Sequence, residues 1–146
     1  VRLTDRGIVT NVRYVAADAE RLPFADGTFD AITMAFGLRN VTDKAAALVA
    51  IRRTLKPAGR VVILEFSKPR NPLFRHAYES FQGLWPAMGR LMTGDRDSYQ
   101  YLVESIRMHP DQDTLKTMMT EAGFTDCAYY DLQNGVAAIH TAIRPR

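Results

Sequence analysis

The segment Asp18-Ala19-Glu20-Arg21-Leu22-Pro23-Phe24, followed by Phe29-Asp30 at the start of an apolar run, holds the residues with the most chemical content. An acid at the carboxyl end of a parallel strand sits where open α/β sheets bind ligands. Asp18 can accept a hydrogen bond from an adenine amino group, and the Ala19 amide can donate to a ring nitrogen. Leu22 or Phe24 can cover the ring face. A plainer reading stays open, a surface turn in which Asp18 caps a short helix. The groups that titrate near neutral pH are His76, His109 and His140. His109 precedes Pro110 at a helix end, where it either bonds the last carbonyls or moves a proton. His140 falls in a strand and suits a core histidine, and His76 is expected to be exposed. The histidines lack metal-ligand spacing and Cys127 is the single cysteine, so neither a metal nor a disulfide framework is expected.

These residues must be positioned by an alternating pattern. Residues 12–16 are β-rich and short. A polar stretch with the turn signal Asp26-Gly27 follows, then an apolar run at 29–36 that suits a strand buried on both faces. Thr42-Asp43 offers a helix cap before Leu48, Ile51 and Leu55 at helical spacing; Pro57-Ala58-Gly59 ends that helix, and 61–66 is the clearest strand. Strand, helix, strand with short connectors predicts a βαβ unit and a parallel α/β sheet. Phe74, Tyr78, Phe81, Trp85, Met88 and Met92 then form an aromatic and methionine stripe, interrupted by Gly83, Pro86 and Gly89, which predicts a broken helix. Further helices are expected over 98–108 and from Asp111 or Asp113 to Gly123. A hairpin is expected around Gln133-Asn134-Gly135.

Composition sets the outer bounds. The 146 residues suit one domain, and 47% hydrophobic residues are enough to build a core. Lys and Arg exceed Asp and Glu by 19 to 16 and are interleaved with them, so nucleic acid is not expected as a partner. The longest uncharged run, 132–143, is too short for a membrane span, and 1–7 has the pattern of a helix end running into Gly7 rather than of a leader.

The Asp18 motif, Phe29-Asp30 opening a strand, and Leu55-Lys56-Pro57-x-Gly59 before the strand at 61–66 resemble a class I S-adenosylmethionine-dependent methyltransferase. Phe36-Gly37-Leu38-Arg39-Asn40-Val41, Leu64-Glu65-Phe66-Ser67-Lys68-Pro69 and Glu104-Ser105-Ile106-Arg107-Met108-His109-Pro110-Asp111-Gln112 resemble more specifically the ubiquinone/menaquinone biosynthesis C-methyltransferase family. The resemblance implies a Rossmann-like, mostly parallel sheet of order 3-2-1-4-5-7-6 with a C-terminal antiparallel hairpin. This chain has no Gly-x-Gly, so residues 1–146 are expected to be the C-terminal part of a single domain. The first two strands and the Gly-rich loop would be absent, and a helical substrate-side insert is expected at about 70–110. The implied cofactor is S-adenosyl-L-methionine, contacted by Asp18, Ala19 and Ala35. The implied reaction is ring C-methylation of a prenylated benzoquinol or naphthoquinol, with Arg39 stabilising an oxyanion and Asn40 beside it. The alternative is a non-catalytic fragment with half a cofactor site.

For the aromatic stripe three readings stand: packing onto the sheet, a lid with Tyr78, Phe81 and Trp85 lining a prenyl channel, and peripheral membrane contact flanked by Arg70, Arg75 and Arg90. A homo-oligomer or other biosynthetic enzymes are expected partners, and the expected location is the cytoplasm or the inner membrane's surface. A nicotinamide reductase on a similar sheet would need a Gly-rich phosphate turn, which the chain lacks.

Overall fold

The computed structural model describes residues 12–93 and 95–146, apart from the side chains of Met92 and Thr93. The helix end expected at 1–7 and the Met92 side chain lie outside the described residues. In chain order the elements are β1 (Phe29–Ala35), α1 (Lys44–Thr54), β2 (Leu55–Phe66), α2 (Pro72–Gln82), α3 (Trp85–Thr93), α4 (Arg96–Met108), α5 (Gln112–Glu121), β3 (Thr125–Leu132) and β4 (Ala137–Ile143). Short 3-10 turns occupy Ala19–Arg21, Leu38–Asn40 and Gln133–Gly135.

The strands form one sheet in the order β1-β2-β4-β3. β1 runs parallel to β2, while β4 is antiparallel to both β2 and β3. This is the 4-5-7-6 half of the expected order. Among the described residues, β1–β2 is its parallel pair.

Local chemistry explains most boundaries. Asp43 Oδ1 accepts from the Ala46 amide at 2.9 Å and starts α1. The Thr54 hydroxyl turns back onto the Ala50 and Ile51 carbonyls, and the chain passes directly into β2. The stretch 56–59 then bulges out, because Phe29 pairs with Leu55 but Ala31 pairs with Arg60. A Cβ on Gly59 would lie 2.8 Å from the Lys56 carbonyl, so this bulge requires glycine. At the hairpin, Asn134 and Gly135 have φ of 57° and 88°, the left-handed region that Asn and Gly tolerate. Asp111, not Asp113, caps α5 by accepting from the Thr114 amide at 2.9 Å.

One face of the sheet carries Ile32, Met34, Val61, Ile63, Ala138 and Ala142, which share a side because paired residues point the same way. Helices α1 and α5 cover it with Leu48, Ile51, Leu115 and Met119, all buried.

Two expectations are corrected. Residues 12–16 form no strand and are exposed; β propensity needs a partner strand, and among the described residues none pairs with them. β1 is only half-buried, since it borders the described sheet and packs on one side.

The insert breaks as expected, with Gly83 and Leu84 separating α2 from α3. α3 lies against α4 at close range: a Cβ on Gly89 would come within 2.6 Å of Tyr99 Cγ. The aromatic stripe packs on itself rather than onto the sheet. Phe74 stacks on Tyr78 at 6.5 Å, and Trp85 meets the edges of Tyr78 and Phe81 at 6.4 and 6.0 Å.

Candidate active site

The apolar face of the sheet turns polar at the carboxyl end of β2. Glu65 follows Val61 and Ile63 on the same parity, and it is 1% exposed. A buried carboxylate has to be paired, and Arg39 does this from the neighbouring turn. Glu65 Oε1 accepts from Arg39 Nη1 at 3.0 Å and from the Phe66 amide at 2.9 Å, and Oε2 accepts from the Arg39 amide at 3.1 Å. Arg39 Nη1 also donates to the Phe36 carbonyl, and the guanidinium lies over the Phe66 ring. Arg39 Nε is buried without a partner.

The turn that delivers Arg39 is strained. Phe36 takes φ of 52°, costly for a bulky side chain, and its ring packs on Phe66 at 4.9 Å. The chain then reverses through Gly37 into Leu38–Asn40. Asn40 is exposed, and its Oδ1 accepts from the Tyr101 hydroxyl at 3.0 Å, which leaves its amide nitrogen as the donor on offer. Ala35 closes β1 opposite Leu64, exposed and without a hydroxyl to offer a ligand.

Two buried histidines complete this end. The Nε2–H of His140 donates to the Gln112 carbonyl at 3.0 Å, and Nδ1 has no partner. The His109 backbone amide caps α4, yet both of its ring nitrogens are buried and unpaired. Burial, reinforced by Lys44, His140, Arg39 and Lys68, pushes the His109 pKa down to about 3, so its ring is neutral. Burial lowers His140 too. His76 is exposed, as expected.

The adenine edge expected of Asp18 and Ala19 lies in a separate segment packed against α1. Asp18 Oδ1 accepts from the Glu20 amide at 2.9 Å, so the capping role is real. Glu20 Oε1 in turn accepts from the Asp43 amide at 2.8 Å, tying the segment to the start of α1. The exposed Asp18 keeps its second oxygen, and the first amide of a 3-10 turn has no acceptor inside the turn. A carboxylate oxygen and a turn amide are thus both on offer in this segment.

Thus Ala35 ends β1 and Arg39 and Asn40 lie in the turn that follows it, Tyr78, Phe81 and Trp85 form one ring cluster, and Asp18 with Ala19 stand apart. Sequence reasoning missed Glu65, Ser67 and Gln82, all buried, and the unpaired ring of His109. A signal existed for Glu65, a charge on the buried parity of an otherwise apolar strand.

Residues 1–144 match the model of the ubiE/COQ5 methyltransferase family. A ubiquinone/menaquinone biosynthesis C-methyltransferase from Teredinibacter turnerae is 58% identical over 140 residues, which are 95% of this chain and 56% of that protein. Its counterpart from Stutzerimonas stutzeri is 54% identical over 145 residues, 99% of this chain and 57% of that one. The chain thus spans little more than half the length of the curated relatives it matches. Among solved structures, the [4+2]-cyclase SpnF superposes with a TM-score of 0.70 at 18% identity, over 99% of this chain and 60% of that one. A SAM-dependent methyltransferase from Thermotoga maritima does so at 0.66 and 17%, over 98% and 69%. A cyclase shares the architecture, so these likenesses establish the α/β fold and not the reaction. With the family model matching residues 1–144 of this chain and identity above half to curated members, the chain belongs to the ubiE/COQ5 methyltransferase family.

Proposed function

We propose that this chain forms the substrate side and the adenine edge of an S-adenosylmethionine-dependent enzyme that methylates a ring carbon of a prenylated benzoquinol or naphthoquinol. The observation that carries the reading is the buried Arg39–Glu65 pair at the carboxyl end of β1 and β2, where open α/β sheets bind ligands. The names of the relatives, which are C-methyltransferases of ubiquinone and menaquinone biosynthesis, support it.

S-adenosylmethionine, when bound, supplies an electrophilic sulfonium methyl, and Asp18 and Ala19 would hold its adenine. The protein's part is to make a ring carbon electron-rich by stabilising negative charge on the ring hydroxyl. Arg39 is suited to this as an oriented donor. Glu65 neutralises much of its charge but fixes the guanidinium, leaving the buried Nε unspent. Asn40 adds a second donor, and neutral His109 has an unpaired nitrogen to accept a hydrogen bond from a ring hydroxyl. The ring cluster of Tyr78, Phe81 and Trp85 suits a prenyl tail.

The insert also suits a peripheral membrane contact. Leu73, Leu84 and Leu91 are strongly exposed near Arg75 and Arg90, while Arg70 is already engaged by Asp113 at 2.9 Å. Among the described residues no helix is long and apolar enough to cross a membrane.

A second reading, a non-catalytic piece with half a cofactor site, is supported by the lack of any Gly-x-Gly in the chain. Calorimetric titration with S-adenosylhomocysteine separates the two. Micromolar binding, weakened about tenfold or more by Asp18→Ala, supports the first reading. No heat on titration favours the second.

A further inference from the structure

Helices α3 and α4 pack against each other and leave a groove of about 450 Å³ along their seam. Three exposed arginines line it: Arg90 from α3, and Arg96 and Arg107 from the two ends of α4, about 16 Å apart along the helix axis. Gln100 and Glu104 lie between the last two on one stripe, at spacings of four, four and three. Among the described residues Glu104 is the one carboxylate lining the groove, and Gln100 Nε2 donates to its Oε1 at 2.9 Å. Elsewhere Arg39, Arg53 and Arg70 are each engaged by a carboxylate at 2.6–3.0 Å. Among the described residues Arg90, Arg96 and Arg107 are engaged by none. Like charges gathered in one groove draw an anion into it.

The neighbouring face of α3 is apolar and bare. Leu84, Met88 and Leu91 follow one another at helical spacing and are 57%, 42% and 88% exposed. The Met88 amide donates to the Leu84 carbonyl at 3.0 Å, so Leu84 joins the same helical turn. A single exposed leucine is ordinary, but a row of apolar side chains beside unengaged arginines marks a contact surface. Leu91 directly follows Arg90, so hydrocarbon and cation are offered side by side. A bilayer surface presents phosphate and hydrocarbon within about 5–10 Å of each other, which matches this juxtaposition. The planar fork of a guanidinium suits phosphodiester oxygens. A single-stranded nucleic acid would instead ask for open rings to stack on, and Phe74, Tyr78, Phe81 and Trp85 are committed to one another.

We infer that the α3–α4 groove seats the phosphodiester of an anionic phospholipid, with Arg90, Arg96 and Arg107 as its donors and Leu84, Met88 and Leu91 entering the acyl boundary. This deepens the membrane contact proposed above, on which it rests, by naming the lipid class and the residues that select it. It is independent of methyl transfer.

The test is flotation of the 146-residue chain with vesicles of phosphatidylcholine, alone or with phosphatidylglycerol at about one lipid in three, in about 0.15 M salt. The chain should bind the anionic vesicles about tenfold or more better, and about 1 M salt should remove that preference. Arg90→Gln, Arg96→Gln and Arg107→Gln should each weaken binding to anionic vesicles about fivefold and leave binding to neutral ones unchanged. Arg60→Gln, an equal loss of charge at an exposed position of β2, should bind like the parent. Leu91→Gln should weaken binding to both vesicle types alike, because it acts on the hydrocarbon contact. Sodium phosphate should displace the chain no better than chloride at the same ionic strength; displacement by phosphate alone overturns the lipid as the source of the anion. The inference is also overturned by equal binding to both vesicle types, by three arginine variants that match the parent, or by an Arg60 variant as weak as they are. Equal binding to both leaves the membrane contact standing. No binding to either overturns that contact as well.

Discussion

In the sheet half, Leu48, Ile51, Leu55, Ile63 and Met119 are at most 1% exposed, while in the insert Leu73 and Leu91 are 81% and 88% exposed and Gln82 is buried. One half obeys the partition that the hydrophobic effect imposes, and α2 in the other inverts it. The inversion is not a weakness of composition, since the insert has abundant apolar residues. In α2 the apolar Leu73 and Phe81 face outward and Gln82 faces inward, while α4 buries Val103 and Ile106 in the ordinary way. Between the halves lies the polar end of the sheet, where Glu65 and His140 continue the core's parity but not its chemistry.

The largest effect should come at that boundary. Arg39→Met leaves Glu65 buried without its cation, and should cost about 3–5 kcal/mol in urea unfolding. Ile63→Ala, inside the orderly half, should cost about 2–5 kcal/mol by opening a cavity. Leu91→Ala should stay within about 0.5 kcal/mol. A Leu91 variant as damaging as the Ile63 one would erase the contrast.

Gly89→Ala sharpens it at intermediate size. The new methyl group collides with the Tyr99 ring and should cost about 1–3 kcal/mol, confined to the insert. Proteolysis within 72–108 should accelerate while amide protection in β2 and β4 persists. Loss of protection in the sheet as well would mean that the halves are one cooperative unit.

The last prediction concerns pH. His109 has a folded pKa of about 3, below the ordinary histidine value, so the unfolded chain takes up the proton first as pH falls. The stability this group contributes is complete above about pH 6.5 and is lost toward pH 3, by up to about 1.4 kcal/mol per pH unit. His109→Leu should flatten this slope without abolishing it, because the pKa of His140 is also lowered. Urea midpoints at about pH 7.5 and about pH 5 measure it; equal slopes in parent and variant would show that His109 is not the group responsible.

Much of the sheet half was legible because its determinants are local. Asp43 and Asp111 announce their helices by cap chemistry, and Asn134-Gly135 specifies a turn through left-handed backbone. The break at Gly83 was legible for the same reason. What escaped is non-local. The Arg39–Glu65 pair joins positions 26 residues apart, and nothing near either residue announces the other. Gln82 inside and Leu73 outside depend on what α2 faces, which periodicity alone does not say. Residues 12–16 and the two-sided burial expected of β1 failed in a shared way, although β1 itself is a strand. Strand composition states a willingness to pair and to be covered, and the partners decide.

The chain leaves β2 for the insert after Phe66 and returns at Gln112 to α5, which covers the sheet. Both crossings lie at the end of β2, through Ser67 and Lys68 on the way out and His109 and Pro110 on the way back, where Gln112 Nε2 donates to the Lys68 carbonyl. The insert is therefore hung like a door with both hinges on one jamb, and the jamb is the polar end of the sheet. Any swing of the insert is centred on the unpaired groups of Ser67 and His109.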